Sequence, residues 1–276
     1  MNPVARALWY IESHLDESIT LDDIASACCV SRYHLLRSFG LVTGTAVIGY
    51  LRARRLSEAA RKLAAGASDI LSVALDAGYN SHEAFTRAFR EQFGQTPEAT
   101  RAQRSLENLK LTEPISMDQS QLSSLEPPRY ETGRAMHLAG ISERCTTETS
   151  AQIPAMWGRF VPHLGSIPGQ VGRVAYGVLI HSEADNSTDY LCAVEVTDFR
   201  GIPAEWTMLS LPERRYAVFT HRDHISAIRR TWYTIWNQWK PEPDNEPTGG
   251  PEFERYGEEF NGETGLGGVE IWIPVR

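Results

Sequence analysis

The chain has 276 residues, which is enough for two domains with separate hydrophobic cores. Its formal net charge of −8 argues against nucleic-acid binding by the chain as a whole. The excess of acid lies in residues 113–276, however, which carry 14 Lys and Arg against 23 Asp and Glu, whereas residues 1–112 carry 13 against 12. The four cysteines suggest neither a disulfide framework nor a zinc site, and no apolar stretch approaches the roughly 18 residues of a membrane span. We therefore expect a cytoplasmic protein without a membrane segment, a metal or a cofactor.

The first third of the chain is predicted to be helical. An opening amphipathic helix is expected over residues 4–14, where apolar residues recur at helical spacing. One pattern then occurs twice, from Ser31 and again 50 positions later from Ser81: an apolar residue follows four positions after the Ser, Arg six after, Phe eight after and Gly thirteen after. Ser caps the first backbone N–H groups of a helix and Gly closes its last turn, so each copy indicates a short capped helix.

Another short helix precedes each copy, at Leu21 to Cys28 and at Ile70 to Ala77. Each holds a small residue, Ala25 or Ala74, where two helices could cross. Two short helices joined by a tight turn form a helix-turn-helix. Ordinary helical hairpins are the alternative, but basic and hydrogen-bonding residues at the start of each second helix favour DNA binding. The sequence therefore predicts two helix-turn-helix units.

A longer helix from Thr45 to Ala65 is predicted to join the two units. Its 21 residues would span roughly 31 Å, close to the approximately 34 Å between successive major-groove faces of B-DNA. One chain could therefore present both second helices to the same side of a duplex.

A longer signature covers residues 20–104. It consists of Ala25 and Ala27, Val30-Ser31, Leu35 with Phe39, Arg52, Arg55, Leu56 and Ala59, Ile70, Val73 and Ala74, Gly78-Tyr79, Phe85 with Phe89, and Phe93-Gly94 with Thr96-Pro97. In these residues the chain resembles the AraC/XylS family of bacterial transcription regulators. Two positions depart from the family pattern, because Leu36 is apolar where polar side chains are common and Gly40 replaces a usual lysine.

The resemblance implies that the second helix of each unit faces base edges in double-stranded DNA. We add one residue at the start of the first such helix and one phosphate contact on the joining helix, Arg55. The expected DNA-binding residues are Arg32, Tyr33, Leu36, Arg37, Arg55, His82, Glu83, Thr86 and Arg87.

The composition becomes polar after a last short helix that begins at Thr96-Pro97, and Pro127-Pro128 follows. We therefore assign residues 1–106 to the DNA-binding domain, 107–127 to a linker and 128–276 to a second domain. Alternation and helical spacing in that domain predict six strands and two helices. The strands are expected near Ala135–Glu143, Ala175–His181, Tyr190–Val196, Trp206–Leu211, Arg215–His221 and Val269–Val275, and the helices near Ile153–Leu164 and Ile225–Trp239.

The second domain contains a repeat. Tyr176-Gly177 precedes Val194-Glu195-Val196, as Tyr256-Gly257 precedes Val269-Glu270-Ile271. Two strand-helix-strand-strand units side by side would give an α+β domain, with one antiparallel sheet, two helices on one face, and the other face left for a ligand. Since successive strand residues point to opposite faces, Glu270 and Trp272 should share that ligand face. Glu195 takes the related position in the first unit, although a solvated carboxylate is the alternative there.

Three segments carry a second resemblance. They are Tyr256-Gly257-Glu258-Glu259-Phe260, Val269-Glu270-Ile271-Trp272-Ile273-Pro274-Val275, and Arg215-Tyr216-Ala217-Val218-Phe219-Thr220-His221. In them residues 126–276 resemble the GyrI-like ligand-binding domains, in which a buried Glu, here Glu270, meets a cationic or amphipathic molecule among aromatic rings.

A desolvated carboxylate favours a cationic guest, and aromatic faces add cation–π attraction. Six of the seven tryptophans lie in this domain, and we assign three of them, Trp232, Trp236 and Trp239, to the core because of their helical spacing. The expected ligand-binding residues are Glu270, Trp272, Glu195, Trp157, Tyr176 and Trp206.

The leading hypothesis is that the protein is a transcription regulator, not an enzyme, that senses a small molecule and engages DNA and RNA polymerase. Whether two chains form a homodimer, and whether the protein activates or represses transcription, stay open. The alternative is a GyrI-like hydrolase that uses Glu270 with Tyr256 or Glu195 as a base. A third hypothesis is an architectural DNA-binding protein with a vestigial cup. His221 and His224 with Asp223 have a weak resemblance to a metal site, for which a structural role is the alternative.

Overall fold

The computed structural model describes residues 2–115, 125–145, 152–181 and 188–276. The chain divides into two compact units, Met1–Asp118 and Gln119–Arg276. Among the described residues, no helix is both long enough and apolar enough to cross a membrane.

Seven α-helices form the described part of the first unit. They are α1 (Pro3–Ser13), α2 (Leu21–Cys28), α3 (Arg32–Thr43), α4 (Val47–Ala64), α5 (Ile70–Asp76), α6 (His82–Phe93) and α7 (Pro97–Gln103). The predicted caps are confirmed: the side chains of Ser31 and Ser81 accept hydrogen bonds from the third residue beyond them, and Gly44 and Gly94 close the same helices in the left-handed conformation. Both helix-turn-helix units, α2–α3 and α5–α6, are present.

The turns of the two units share one hydrogen-bonding scheme. The Val30 amide donates to the Ala25 carbonyl oxygen at 3.2 Å, and the Tyr79 amide donates to that of Ala74 at 2.9 Å. The residue before the donor is left-handed in both turns, and it is Cys29 (φ 56°) in the first and Gly78 (φ 82°) in the second. The left-handed conformation costs a side chain about 1–2 kcal/mol, so the first turn carries strain that the second avoids.

The joining helix is shorter than predicted. Helix α4 has 18 residues, and therefore rises roughly 27 Å in place of the expected 31 Å, because Thr45 and Ala46 lie in the turn before it and Ala65 caps its end. It separates two cores, one built by α1 to α3 around Phe39 and one built by α5 and α6 around Phe85 and Phe89.

Residues 106–115 return along α4, and we call this segment the strap. The predicted linker began at residue 107, yet Leu109 is buried and the backbone of the strap is hydrogen-bonded to α4. The Thr112 amide donates to Ser57 Oγ at 2.9 Å, and the Ile115 amide donates to the hydroxyl of Tyr50 at 3.2 Å. The strap therefore belongs to the first unit, because apolar residues separated by polar ones pack against α4.

A buried guanidinium group anchors the strap. Arg54, which is 3% exposed, donates to both carboxylate oxygens of Glu12 at 2.9 and 2.8 Å, to Glu58 at 3.0 Å, and to the Thr112 carbonyl oxygen at 2.8 Å. Tyr50 donates to the same Glu12 carboxylate at 2.6 Å. Burial, with the hydrogen bond to Glu12, raises the pKa of Tyr50 to about 12. Every charge at this junction of α1, α4 and the strap therefore has a partner of opposite sign.

The second unit contains one eight-stranded antiparallel sheet in the described residues. Its strands are β1 (Arg129–Gly133), β2 (Met136–Cys145), β3 (Gln170–His181), β4 (Thr188–Val196), β5 (Thr207–Leu211), β6 (Arg214–His221), β7 (Glu252–Tyr256) and β8 (Val269–Pro274). Their order across the sheet is β1-β6-β8-β7-β3-β4-β2-β5. Two α-helices accompany them, α8 (Ile153–Phe160) and α9 (Ile228–Gln238), each adjoining a 3₁₀ turn.

The duplicated architecture is confirmed. The repeats are β2-α8-β3-β4 and β6-α9-β7-β8, which meet where β3 pairs with β7, while β1 and β5 extend the two edges. Both helices pack on one face of the sheet. The other face has its own apolar cluster, in which the rings of Phe253 and Trp272 stack at 5.4 Å and Tyr216 meets both edge-on. That face is therefore packed with aromatic side chains.

We expect Tyr50→Phe to loosen the strap. The ring still fills its place, but the bonds of the hydroxyl to Glu12 and to the Ile115 amide are lost, and one such bond contributes about 1–1.5 kcal/mol. Amide hydrogen exchange over residues 106–115, followed by mass spectrometry, should accelerate about tenfold. Tyr10→Phe, in the same core, is the matched control; equal exchange in all three proteins would contradict the anchoring role.

Candidate functional site

The outer surface of α3 carries the first group of predicted DNA contacts. Arg32 is exposed and lies 3.4 Å from Asp22, whereas Tyr33, Leu36 and Arg37 are half-buried. The opposite side of the helix faces the core, where burial lowers the pKa of His34 to about 4. Of the predicted contacts on α3, Leu36 also packs against that core, and Arg32 is the one that is exposed.

Helix α6 presents the second group more openly. His82, Glu83 and Arg87 are exposed, and together with Thr86 and Arg90 they line one shallow depression. The hydroxyl of Thr86 is buried and makes no hydrogen bond within the described residues, so a base contact by this group requires a change of its rotamer. The side chains of His82, Glu83 and Arg87 on α6 are therefore exposed to solvent, as that of Arg32 is at the start of α3.

The structure gives Arg55 a different role from the predicted phosphate contact. Its guanidinium group donates to the carbonyl oxygen of Leu15 at 2.9 Å and to that of Glu17, in the loop between α1 and α2. Partial burial lowers the pKa of Arg55, although Tyr79 and Asp16 counteract this. We therefore remove Arg55 from the expected DNA contacts and assign it to the packing of this loop.

The predicted effector residues divide between the two faces of the sheet. Trp157 and Trp206 lie on the helix face, where Trp206 packs against the ring of Phe160 at 5.7 Å. The others lie on the opposite face, and they are Tyr176, Glu195, Glu270 and Trp272. The six residues therefore do not form one cup.

Glu270 and Glu195 are both neutralised by arginines. Glu270 lies 2.5 Å from Arg129 and 3.3 Å from Arg255, and it accepts a hydrogen bond from the indole of Trp272 at 3.0 Å. Burial raises the pKa of Glu270, but the hydrogen bond from Trp272 and the two arginines lower it by a larger amount, so the net shift is downward. Arg134 holds Glu195 through two bonds of 2.5 and 2.6 Å. These two carboxylates hold β1 and the β1–β2 turn on the sheet.

A third carboxylate, Glu254 on β7, was not predicted. It is 5% exposed and lies on the helix face at the junction of the two repeats. It accepts hydrogen bonds from the hydroxyl groups of Tyr190 and Tyr256 at 2.7 and 2.8 Å, and from the indole of Trp232 at 2.8 Å. Within the described part of the chain, no Arg, Lys or His lies within 4 Å of it. Glu254 is therefore solvated by neutral donors and lacks a counter-charge there.

Aromatic side chains surround this carboxylate. Trp157 on α8 donates to the Tyr190 hydroxyl at 3.1 Å and meets the ring of Tyr256 edge-on at 4.9 Å. Phe260 also meets the ring of Tyr256 edge-on, at 5.0 Å. Burial, followed by the charge of Glu254, raises the pKa of both tyrosines well above the ordinary value, so they stay protonated and donate. We call Glu254, Tyr190, Tyr256, Trp157 and Trp232 the Glu254 cluster.

Gly177 makes room for the cluster. It lies opposite Glu254 in the β3–β7 pair, and a Cβ atom added to it would lie 2.1 Å from the Tyr190 hydroxyl oxygen and 2.8 Å from Glu254 Oε2. Only glycine leaves that space open. The Tyr-Gly dipeptide was noticed in the sequence as part of the repeat, and the structure explains its glycine.

The repeat is not in register at its tyrosines. Ala175 pairs with Tyr256 and Tyr176 pairs with Arg255, so Tyr176 and Tyr256 point to opposite faces. The alternation of side chains through Glu252, Glu254 and Tyr256 could have indicated strand β7. However, three of the five residues in 252–256 are charged, and such a composition is more typical of a loop.

The imidazoles of His221 and His224 have structural contacts. His221 is bonded to Thr231 at 2.8 Å and to the His224 carbonyl oxygen at 3.2 Å, and His224 contacts Ser226 at 2.8 Å. These contacts join β6 to the start of α9, which favours the structural alternative.

We expect Gly177→Ala to lower the free energy of unfolding by about 1–3 kcal/mol, because the new methyl group forces the Tyr190–Glu254 contact apart. Urea unfolding followed by tryptophan fluorescence measures the change. Gly158→Ala, on α8 where an added Cβ meets nothing within 4 Å, should be neutral or stabilising. A Gly177→Ala protein as stable as wild type would show that the cluster tolerates displacement.

Comparison with known proteins agrees with both halves of this architecture. The family model "Integron-associated effector binding protein" matches residues 131–275, and the model "Helix-turn-helix domain" matches residues 24–103. The chain is similar to the transcriptional regulator Rob of Salmonella typhimurium (strain LT2), with 27% identity, and to the right origin-binding protein of Escherichia coli (strain K12), with 26% identity; each alignment covers 98% of this chain and 96% of the relative.

A solved structure, SAV2435 bound to tetraphenylphosphonium, aligns with a TM-score of 0.44 and 20% identity over 55% of this chain and 94% of its own. Because the effector-binding model matches more than half of the residues, the chain belongs to the family of integron-associated effector-binding proteins, and it is an AraC-type DNA-binding transcription regulator with that domain at its carboxy-terminal end.

Proposed function

We propose that the regulator senses a cationic, aromatic small molecule at the Glu254 cluster and that binding there alters the affinity of α3 and α6 for DNA. One observation carries the proposal: Glu254 is a buried carboxylate with three neutral donors and no cation among the described residues. A buried charge without a partner of opposite sign is costly. A cationic guest would supply that partner.

The surrounding rings favour the same class of ligand. Trp157, Tyr256 and Phe260 offer faces and edges next to the carboxylate. Cation–π attraction to such rings needs little shape complementarity. By contrast, Glu270 and Glu195 are already paired with arginines, so a cation would have to displace an existing partner there.

The effect on DNA requires the ligand to bind one conformation of the chain more tightly than another. Contact with RNA polymerase, pairing of two chains and a cytoplasmic location stay predictions.

The geometry does not favour hydrolysis by Glu270. Its pKa is lowered and it lies between two arginines, which makes it a weak general base. Tyr256, its proposed partner, lies on the other face and is bonded to Glu254. Turnover of a bound compound, if observed, is therefore expected to depend on Glu254.

We expect Glu254→Gln to weaken binding of tetraphenylphosphonium, a probe chosen as a large aromatic cation, by at least about tenfold. The substitution keeps the shape of the side chain but removes the negative charge that attracts the cation, and a loss of about 1.4 kcal/mol of attraction is tenfold in affinity. Titration with quenching of tryptophan fluorescence measures the affinity. Glu270→Gln is the matched control and should bind like wild type. If Glu270→Gln loses binding and Glu254→Gln keeps it, the ligand occupies the opposite face.

A second prediction concerns DNA. Arg37→Ala and Arg87→Ala should each cost about 1–3 kcal/mol on a selected duplex and relax the preference at one base pair. Arg55→Ala should lower stability and leave the dependence of affinity on salt unchanged, since its guanidinium group is bound to backbone carbonyl oxygens. Binding to selected and random duplexes over a salt series separates these outcomes. Equal losses on both duplexes for Arg87→Ala would exclude it as a base contact.

A further inference from the structure

A contact between the side chains of His82 and Glu98 links the start of α6 to α7. Nε2 of His82 lies 2.9 Å from Oε1 of Glu98, and the two side chains are 48% and 45% exposed. Glu98 is the second residue of α7, whose first turn is capped by the Thr96 side chain. The carboxylate is therefore presented from a fixed backbone position, and a residue outside the recognition helix holds the first side chain of that helix.

Glu98 is the carboxylate that contacts His82 among the described residues, although other charges lie nearby. On α6 itself these are Glu83, Arg87 and Arg90, which share a depression with His82. The charged residues on the helices packed against α6 have other partners. Arg52 of α4 lies 3.8 Å from Glu91, Asp76 of α5 lies 3.0 Å from Lys62, and the side chain of Asp69 caps α5.

The pKa of Glu98 is lowered. Partial burial raises this pKa. Hydrogen bonds from the backbone N–H of Glu98 and from Thr96, together with the charge and hydrogen bond of His82, lower it by a larger amount. Glu98 thus stays ionised through the neutral pH range. It places a negative charge beside the surface that we propose meets DNA.

Phosphate groups of DNA repel the carboxylate of Glu98, so this residue offers no favourable charge of its own to the backbone of a duplex. Any role of Glu98 in DNA binding must therefore act through His82, the side chain that it contacts.

We propose that Glu98 is a positioning residue for DNA recognition: it orients His82 for contact with a base. The inference rests on the proposed placement of α6 against base edges. Glu98 accepts from Nε2 and leaves the other nitrogen for a base.

The test uses the full chain, a duplex recovered from a random-sequence pool by the wild-type protein, and an unselected duplex of equal length. Affinity is measured for both at one pH and one salt concentration. His82→Ala should reduce the preference for the selected duplex by about fivefold or more.

Two substitutions at position 98 separate the roles. Glu98→Gln keeps a hydrogen-bond acceptor for Nε2 of His82, so the preference for the selected duplex should be retained. Glu98→Ala removes the acceptor and should reduce that preference by about fivefold or more. Glu91→Gln removes one negative charge elsewhere on α6 and should strengthen binding to both duplexes alike.

The inference is overturned if His82→Ala keeps the wild-type preference, or if both Glu98 variants behave like Glu91→Gln. Arg87→Ala shows where a failure lies. If it relaxes the sequence preference while the position 82 and 98 variants do not, the role of Glu98 is wrong and the placement of α6 stands. If Arg87→Ala also leaves the preference unchanged, α6 does not read bases, and the inference fails together with the placement on which it depends.

Discussion

A buried carboxylate must be solvated by the groups around it, and in the second unit this requirement falls on Glu254. Its donors come from β4, β7 and α9, and α8 supports one of them through Trp157. A buried donor or acceptor left without its partner loses its desolvation free energy, so these strands and helices must meet at hydrogen-bonding distance. The aromatic residues at the junction consequently serve as core of the unit and as walls of the candidate site.

The first unit contains a buried positive charge and, unlike Glu254, this charge has partners of the opposite sign. Arg54 is bound by the carboxylates of Glu12 and Glu58 and by a carbonyl oxygen of the strap. Removing one member of such a network leaves a buried charge uncompensated, which strongly favours a single arrangement. Glu254 is hydrogen-bonded but not neutralised. This difference, more than burial alone, distinguishes a structural charge from one suited to receive a ligand.

Local rules were sufficient for the two helix-turn-helix units, but not for the tertiary contacts of the first unit. Caps at Ser31 and Ser81 and closing glycines at Gly44 and Gly94 depend on neighbours within one turn, and they predicted both helix-turn-helix units. The partners of Arg55 are about 40 residues away, and the strap meets α4 over a longer separation, so their roles depend on tertiary contacts that local patterns do not contain.

In the second unit, repetition both helped and misled. It predicted the duplicated topology and pointed to Glu195 and Glu270, which do occupy equivalent strands, β4 and β8. Glu254 lies where the two repeats meet, so it has no repeated counterpart, and repetition directed attention to carboxylates that arginines already neutralise.

The absence of a side chain at Gly177 has an evolutionary consequence. Positions 177, 190 and 254 lie on three neighbouring strands and share one small volume, so that a methyl group on the first would collide with the functional groups of the other two. A lineage that exchanges this glycine for a larger residue must also shorten the tyrosine or the glutamate, which would change the compounds that the proposed site could accept. The three positions are therefore expected to covary among relatives. Relatives with a glycine at position 177 are expected to have both the carboxylate at position 254 and the phenol at position 190.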